Sequence, residues 1–232
     1  MRYRISQVKI NIREKGSADT GVFEKAIRKK LGKPGLEIED VEIIRESVDA
    51  RRKPDIKLVY TLDFSCREKL RLPEARKADY DSLEKKVTRE PDGLRPVVAG
   101  FGPCGMFAAL ILAEAGMKPV VIERGQTVDE RVKTVEKFWN EGILDTESNV
   151  QFGEGGAGTF SDGKLTTGIK DIRISKVLRE LAAAGADKEI LYRQKPHIGT
   201  DRLRSVVKNI RKKIEALGGR IYFDTKLTGI LT

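Results

Sequence analysis

The sequence predicts an α/β protein in which a small α+β part precedes a larger part of alternating strands and helices. Three observations lead to this prediction. Strand-like and helical patterns follow one another in the order β-α-β-β over residues 1–66. A charged stretch interrupted by prolines occupies residues 67–93. From residue 94 onward, short apolar runs are separated by long helical patterns, which is typical of strands in a parallel sheet.

The N-terminal part has the pattern of a compact domain. Residues 3–10 roughly alternate polar and apolar side chains, and residues 22–31 have helical spacing before a Gly-Pro-Gly stop. Residues 36–45 and 56–64 are predicted as two further strands, joined by a polar stretch. This order predicts a split β-α-β domain of the ferredoxin-like type over residues 1–66, without a catalytic constellation.

Residues 67–93 are predicted to form a charged linker between two domains. Pro73, Pro91 and Gly93 interrupt this stretch, and only residues 80–87 have the pattern of a short helix. We place the boundary near Pro91, so that the second domain spans residues 94–232.

A glycine-rich turn is the central feature of the second domain. The apolar run 97–99 leads into Gly-x-Gly-x-x-Gly, and an apolar helical run follows it. In a dinucleotide-binding turn, Gly100 would allow the tight bend, Gly102 would let the backbone approach a pyrophosphate, and Gly105 would let the helix pack on the strand. The helix N-terminus would face the phosphates, and Pro103 suits its first turn.

A carboxylate follows the glycine turn at the distance expected for such a site. The second apolar run, residues 119–122, ends in Glu123, about 20 residues after the turn, where a carboxylate can bind an adenosine ribose. Strand, turn, helix, strand and acid therefore occur in the order of a Rossmann-like FAD- or NAD(P)-binding domain. The alternative is a structural β-α-β unit that binds no ligand.

A second glycine-rich stretch, residues 149–165, cannot form a regular strand or helix. It is either a flexible surface loop or a segment whose backbone lies against a ligand. We favour the ligand, because the stretch follows the dinucleotide unit and combines glycines with polar side chains: Gly155, Gly156, Gly158, Ser161, Asp162 and Lys164. Lys164 would stabilise negative charge on a ring carbonyl or a phosphate.

The spacing of the predicted strands favours FAD over a plain nicotinamide dinucleotide. Residues 126–219 separate the second strand from a strand at 220–223, and this interval contains the glycine-rich loop and several helices. Thr200 or Asp201 is predicted to be the N-cap residue of a helix, and a last strand is predicted at 227–231. A loop of this kind can reach both the pyrophosphate and the ring of a large cofactor.

Few side chains suggest acid–base, redox or metal chemistry. His197 is the only histidine, and a single histidine before a helix is more often structural. Together with Lys164 it is nevertheless the best candidate for a catalytic group. Cys66 and Cys104 show no metal-ligand spacing, so no metal site is predicted. Trp139 is predicted to be a packing residue.

Composition and charge limit the class of protein. The chain of 232 residues has no apolar run long enough to span a bilayer and no apolar N-terminal secretion signal. We therefore expect a cytoplasmic protein that acts on a small molecule and not at a membrane. The net charge is +10, but aromatic residues are not interleaved with the basic clusters, which argues against nucleic-acid binding.

Three segments together resemble a family of bacterial FAD-dependent dehydrogenases related to the glutathione-reductase-like flavoproteins. These segments are the glycine turn at 100–105, Glu123-Arg124-Gly125 with Arg131, and the loop at 155–165. The N-terminal domain also resembles this family, so the resemblance covers nearly the whole chain. Such flavoproteins continue beyond residue 232, which predicts that the chain is the N-terminal part of a longer enzyme with an incomplete FAD-binding domain.

The resemblance implies an FAD-dependent oxidoreductase, with NAD(P)H as a candidate electron donor, and assigns roles to particular residues. Glu123 would hold the ribose, and the backbone near Leu227 would lie beside the adenine. Arg124 and Arg131 would lie near the adenosine and phosphate groups. The pyrophosphate would be bound at Gly100, Gly102, Pro103 and Gly105, and the loop would run beside the pyrophosphate and flavin at Gly155, Gly156, Gly158, Ser161 and Lys164.

An alternative function from another class is a basic RNA- or protein-binding module that retains the β-α-β scaffold without catalysis. Basic residues outnumber acidic ones over the first 90 positions, which motivates this alternative. Such a module would bind RNA with a steep dependence on salt concentration.

Overall fold

A computed structural model describes residues 1–16, 20–73, 93–161, 163–169 and 171–231. The protein is mixed α/β, with one antiparallel and one parallel three-stranded sheet in the described chain. The chain divides into two compact units. The first unit contains the described residues up to 73 together with Leu191–Pro196, and the second contains those from 93 to 190 and from His197 onward. The predicted helix at 80–87 and the boundary at Pro91 lie outside the described residues.

The first unit has the element order β-α-β-β that the sequence predicts. Its strands and its α-helix are β1 (Arg2–Asn11), α1 (Thr20–Leu31), β2 (Glu39–Asp49) and β3 (Lys57–Ser65). The sheet order is β1-β3-β2, and both outer strands run antiparallel to β3. The outer strands are therefore parallel to each other with β3 inserted between them, which is a split β-α-β arrangement.

Two details of this sheet differ from the predicted strands. β2 continues to Asp49, four residues past the predicted end, because its polar C-terminal half stays paired with β3 at an edge of the sheet. In β1, Gln7 has a φ of 57° at a β-bulge. The bulge brings both Ile5 and Val8 to the buried face although three positions separate them.

Residues Leu191–Pro196 belong to the first unit, although the sequence prediction assigns them to the second domain. The Glu46 amide of β2 donates to the carbonyl of Tyr192 at 2.9 Å. The Glu46 side chain is buried, accepts a hydrogen bond from the Tyr60 hydroxyl at 2.9 Å and lies 3.8 Å from Arg193. No local pattern reveals this pairing, since it joins positions that are distant in the sequence.

The second unit contains a parallel sheet with its strands in sequence order. The strands are β4 (Val97–Ala99), β5 (Val120–Ile122) and β6 (Arg220–Tyr222), in the order β4-β5-β6. The helix α2 (Pro103–Glu114) connects β4 to β5. The described residues between β5 and β6 form three α-helices: α3 (Val128–Glu141), α4 (Arg173–Ala183) and α5 (Thr200–Ala216). The N-cap residue of α5 is Gly199 and not Thr200 or Asp201, so that prediction is wrong by one or two positions.

The core of the second unit is formed mainly by α2, α5 and the central strand. The periodic apolar face of α5 is buried, as its helical spacing predicts, and it packs with α2, which is apolar on most sides. The predicted last strand is wrong, because residues 227–231 form no strand in the described chain. Ile230 and Leu231 are exposed there, without a neighbouring strand to pair with among the described residues.

Four charged side chains connect the helices of this unit. Lys176 Nζ of α4 lies 2.8 Å from Glu114 of α2 and 2.9 Å from Glu180 of α4. Lys213 Nζ of α5 lies 2.7 Å from each of the same carboxylates. Burial acts to raise the pKa of Glu180, but hydrogen bonds from Lys213 and Lys176 outweigh it, so the pKa lies below its ordinary 4.5.

We predict that Glu180→Gln lowers the free energy of unfolding at pH 7 by about 1–2 kcal/mol, between the values for exposed and buried ion pairs. Because the folded-state pKa of Glu180 is lowered, its stabilisation is present above pH 4.5 and is lost as the pH falls through the folded-state value. Urea unfolding at pH 7 and at about pH 3.5 should show the difference from wild type shrinking in acid.

Glu136→Gln on α3 is the matched control, because the Glu136 side chain is exposed and has no ion-pair partner among the described residues. A loss of stability that is equal for both variants, or that does not depend on pH, would contradict the proposed role of the four-residue network.

Candidate functional site

The turn between β4 and α2 has the backbone geometry of a tight strand-to-helix bend. Gly100 has a φ of 90°, which L side chains rarely adopt, and its amide donates to the carbonyl of Ile122 in β5 at 2.7 Å. Gly102 is the N-cap residue of α2, and Pro103 is the first residue of that helix. The free N–H groups of the first turn of α2 therefore begin immediately after the glycine bend.

Only glycine fits at position 105. A Cβ atom added there would lie 2.0 Å from the carbonyl oxygen of Gly100 and 3.3 Å from a methyl group of Val98. The backbone of α2 thus packs directly on the turn and on β4. At Gly102, by contrast, an added Cβ would have one neighbour within 4 Å, the Gly156 Cα at 3.9 Å. Gly102 is therefore free of close packing within the protein.

The Glu123 carboxylate accepts three backbone hydrogen bonds. The donors are the amides of Phe101 at 2.6 Å, Gly125 at 2.9 Å and Gly153 at 3.1 Å. Glu123 is 4% exposed, and it connects the glycine turn to the end of β5 and to the second glycine-rich loop. A carboxylate has about four acceptor positions, so about one remains for the ribose hydroxyl that the sequence predicts as its partner.

Arg131 has a position that the sequence does not predict. Its guanidinium is fully buried and donates to the backbone carbonyls of Asn149 at 2.8 Å, Val150 at 2.9 Å, Glu154 at 2.8 Å and Gly156 at 2.9 Å. The described hydrogen bonds of Arg131 are with the glycine-rich loop, which it shapes, and its place near the adenosine and phosphate groups stays a prediction.

Burial lowers the pKa of Arg131 to about 10, although the carboxylates of Glu123 and Glu154 act in the opposite direction. At neutral pH the guanidinium therefore keeps its charge. This charge lies inside the second unit and is satisfied by carbonyl oxygens rather than by solvent.

Glu154 is a buried residue of the glycine-rich loop whose role the sequence does not predict. One of its oxygens accepts from the Val128 amide at the start of α3 at 2.7 Å, and the other accepts from Arg211 of α5 at 2.8 Å. Burial raises the pKa of Glu154, while the Val128 amide and Arg211 oppose this shift. The signal that could have revealed it is an acidic residue between two glycines, Gly153 and Gly155.

The glycine-rich loop meets the turn at Gly156. A Cβ atom added to Gly156 would lie 3.2 Å from both Gly102 Cα and Pro103 Cδ, so the two backbones come close together. The loop then continues as a short 3-10 helix, Ala157–Phe160. Gly155 lies in the core, where an added Cβ would meet Thr159 and Val207.

A cavity of about 380 Å³ lies at the carboxyl ends of β4 and β5, and we call it the turn cavity. Ala99 and Ile122, the last residues of these strands, are part of its wall. Six predicted site residues also line it, namely Gly100, Gly102, Glu123, Arg124, Gly156 and Leu227. Five further lining residues were not predicted individually. Gln151, Phe152 and Gly153 belong to the stretch 149–165 that was predicted to lie against a ligand, and Thr225 and Lys226 directly precede Leu227.

Positive side chains lie at the wall of the turn cavity. The Arg124 guanidinium stacks over the ring of Phe152, with 4.3 Å between its central carbon and the ring centroid. Arg124 lies 3.7 Å from Glu147, and Lys226 lies 2.9 Å from the same carboxylate. Glu147 thus holds both cations beside the cavity.

A second cavity, of about 440 Å³, opens beside Pro103, and we call it the apolar cavity. Most of its wall is aliphatic, including Leu165, Ile169, Val177 and Leu178. Lys164 also lines it. Since Gly102 borders the turn cavity and Pro103 borders the apolar cavity, consecutive residues of the turn contribute to both.

The other predicted site residues that the structure describes do not line the turn cavity or the apolar cavity. Gly158 lies within the 3-10 helix, and the exposed Ser161 is its C-cap residue, whose hydroxyl donates to the Gly158 carbonyl at 3.3 Å. Gly105 is packed against the turn. His197 is exposed and pairs with Lys164 only as an isolated antiparallel β-bridge. Cys104 is exposed in the first turn of α2.

No group of three or more histidine, cysteine, aspartate or glutamate side chains could hold a metal ion in the part of the chain that the structure describes. Among the described helices, none has both the length and the apolar character needed to cross a membrane.

Comparison with known proteins gives a match for the N-terminal part of the chain and a match for nearly the whole chain. Residues 2–65, which contain the antiparallel sheet and α1, match a domain of unknown function (DUF8436). Nearly the whole chain, 99%, is similar to an "Uncharacterized protein" of Clostridium beijerinckii, with 49% identity over 237 residues. The match covers 44% of that protein, so the chain spans less than half the length of this relative.

We predict that Gly105→Ala and Gly102→Ala have different effects on stability. At Gly105 the methyl group would meet the Gly100 carbonyl at 2.0 Å, and forcing this contact should cost about 2–3 kcal/mol of unfolding free energy. At Gly102 there is room, and the loss should be about 1 kcal/mol or less, as for other changes of an N-cap glycine. Urea unfolding monitored by circular dichroism measures both. Equal losses would contradict the packing described for α2.

Proposed function

We propose that the second unit binds FAD and that the protein acts as a cytoplasmic FAD-dependent oxidoreductase, as part of a longer polypeptide. The observation that carries the proposal is the pair of glycines in the turn. Position 105 is closed to any side chain by the protein's own backbone, whereas position 102 is open and borders the turn cavity. Gly102 thus has no side chain although the packing of the protein leaves room for one. Such a position is suited to contact between the backbone and a ligand.

The arrangement of strands supports the same proposal. The parallel order β4-β5-β6, with α2 between the first two strands, is the order of the first half of a doubly wound dinucleotide-binding sheet. In such sheets, ligands bind outside the carboxyl ends of the strands. The turn cavity has this position, since the last residues of β4 and β5 line it.

The turn cavity suits the adenosine and pyrophosphate of the cofactor. The N-terminus of α2 supplies free amides and the positive end of a helix dipole, and Arg124 and Lys226 add positive charge. The Phe152 ring and the Arg124 guanidinium stacked on it provide a flat surface for an adenine ring. Glu123 would bind the ribose with its remaining acceptor position.

The apolar cavity suits the flat ring system at the other end of FAD. Its aliphatic wall would exclude water, and Lys164 would stabilise negative charge on a bound ring. Because Gly102 and Pro103 border the two cavities, an elongated dinucleotide lying along the turn could occupy both. Bound FAD would accept a hydride, with NAD(P)H as a candidate donor, while the protein supplies orientation and electrostatics.

We predict that the purified chain retains FAD after desalting and that Gly102→Ala weakens FAD binding at least tenfold, about 1.4 kcal/mol. The added methyl group would occupy the cavity wall that the pyrophosphate approaches. Flavin absorbance after desalting, followed by titration calorimetry with FAD, measures the effect. Gly35→Ala is the matched control, because it adds the same group where nothing lies within 4 Å.

Titration with ADP separates the two halves of the proposal. ADP binding that Gly102→Ala weakens, without retention of flavin, would support the turn cavity as a nucleotide site but contradict the role given to the apolar cavity. Binding of neither FAD nor ADP, or equal affinity of the wild type and Gly102→Ala, would contradict the proposed function.

A further inference from the structure

The first unit has a concave charged site of its own. A cavity of about 430 Å³ lies where the β2–β3 hairpin closes, and we call it the hairpin cavity. It is lined by Lys9, Asp49, Arg51, Arg52, Asp55 and Lys57, all within residues 1–73. None of these residues belongs to the site proposed above.

The sheet register brings these charges together. Asp49 of β2 and Asn11 of β1 are both paired with Lys57 of the central strand. Their neighbours Ile10 and Leu58 are buried in the core, so the charged residues point to the opposite face of the sheet. Lys9 lies on this face too, with its Nζ 3.4 Å from Asp49. Three strands therefore contribute to the floor of the cavity.

The two carboxylates hold part of the cationic lining in place. Asp49 accepts two hydrogen bonds from the Arg51 guanidinium, each of 2.8 Å, and a third from the Arg51 amide at 3.4 Å. Asp55 accepts from Asn11 at 3.2 Å and lies 2.9 Å from Lys57. The cavity has four cationic and two anionic side chains, so positive charge remains in excess. Arg52 is exposed and makes no hydrogen bond or ion pair with the described residues.

We propose that the hairpin cavity is a binding site for a small phosphate-bearing molecule, with Arg52 and Lys57 as the principal contacts. A guanidinium presents paired donors that match phosphate oxygens, and a concave site with excess charge of one sign concentrates its field. A nucleic-acid strand needs stacking surfaces along an extended groove, and no aromatic side chain lines this cavity among the described residues. The ligand is therefore a compact anion and not RNA.

We expect Arg52→Gln and Asp55→Asn to have opposite effects on the affinity for inorganic pyrophosphate, which isothermal titration of the full chain measures. Arg52→Gln should weaken binding about tenfold, the size of one lost charge-assisted hydrogen bond. Asp55→Asn should strengthen binding several-fold, because it removes a negative charge while an oxygen remains for Asn11. Wild-type affinity should fall as salt is added.

Lys25→Gln on α1 is the matched charge control, since Lys25 is exposed and makes no ion pair with the described residues. Gly102→Ala should leave pyrophosphate binding at the hairpin cavity unchanged, and Arg52→Gln should leave FAD retention unchanged. The failure of this proposal can therefore be distinguished from the failure of the proposed function. Equal losses in Arg52→Gln and Lys25→Gln would overturn the proposal. So would Arg52-dependent binding of a labelled single-stranded RNA that is tighter than binding of pyrophosphate.

Discussion

The carboxylate of Glu123 is the interaction on which the candidate site depends. It accepts amides from the glycine turn, from the end of β5 and from the second glycine-rich loop, three segments that are separate in sequence. Each of these amides is buried or nearly so, and an unsatisfied amide in that position would be destabilising. One side chain therefore fixes the distance between the two glycine-rich segments that border the turn cavity.

Two further buried charged side chains, Arg131 and Glu154, hold the second glycine-rich loop in position. Arg131 binds four carbonyls of the loop, and Glu154 joins that loop to the start of α3 and to α5. The loop is thus held by charged groups placed under it and not by regular secondary structure. This arrangement leaves the backbone of Gly156 close to that of Gly102, without side chains between them. Both glycines line the turn cavity, so their backbone is accessible from it.

The fold could be predicted in large part from local patterns. The β-α-β-β order of the first unit, the helix at 200–216 and the glycine turn agree with the prediction because each has a strong local period or a turn signal. The extension of β2, the absence of a strand at 227–231 and the pairing of Tyr192 with Glu46 were missed. Each of these depends on whether a partner strand is present, which the local pattern does not contain.

For the candidate site, the sequence by itself indicated three positions: Gly102, where the backbone could approach a ligand, Gly105, where the helix packs on the strand, and Glu123, the acid that follows β5. These follow from residue size and spacing along a β-α-β unit. Only the tertiary structure decided the role of the charged residues. Arg124 lies at the cavity wall and Arg131 lies beneath the loop, although both are arginines that follow the same strand. Burial and hydrogen-bond partners distinguish them, and both arise only when distant segments pack together.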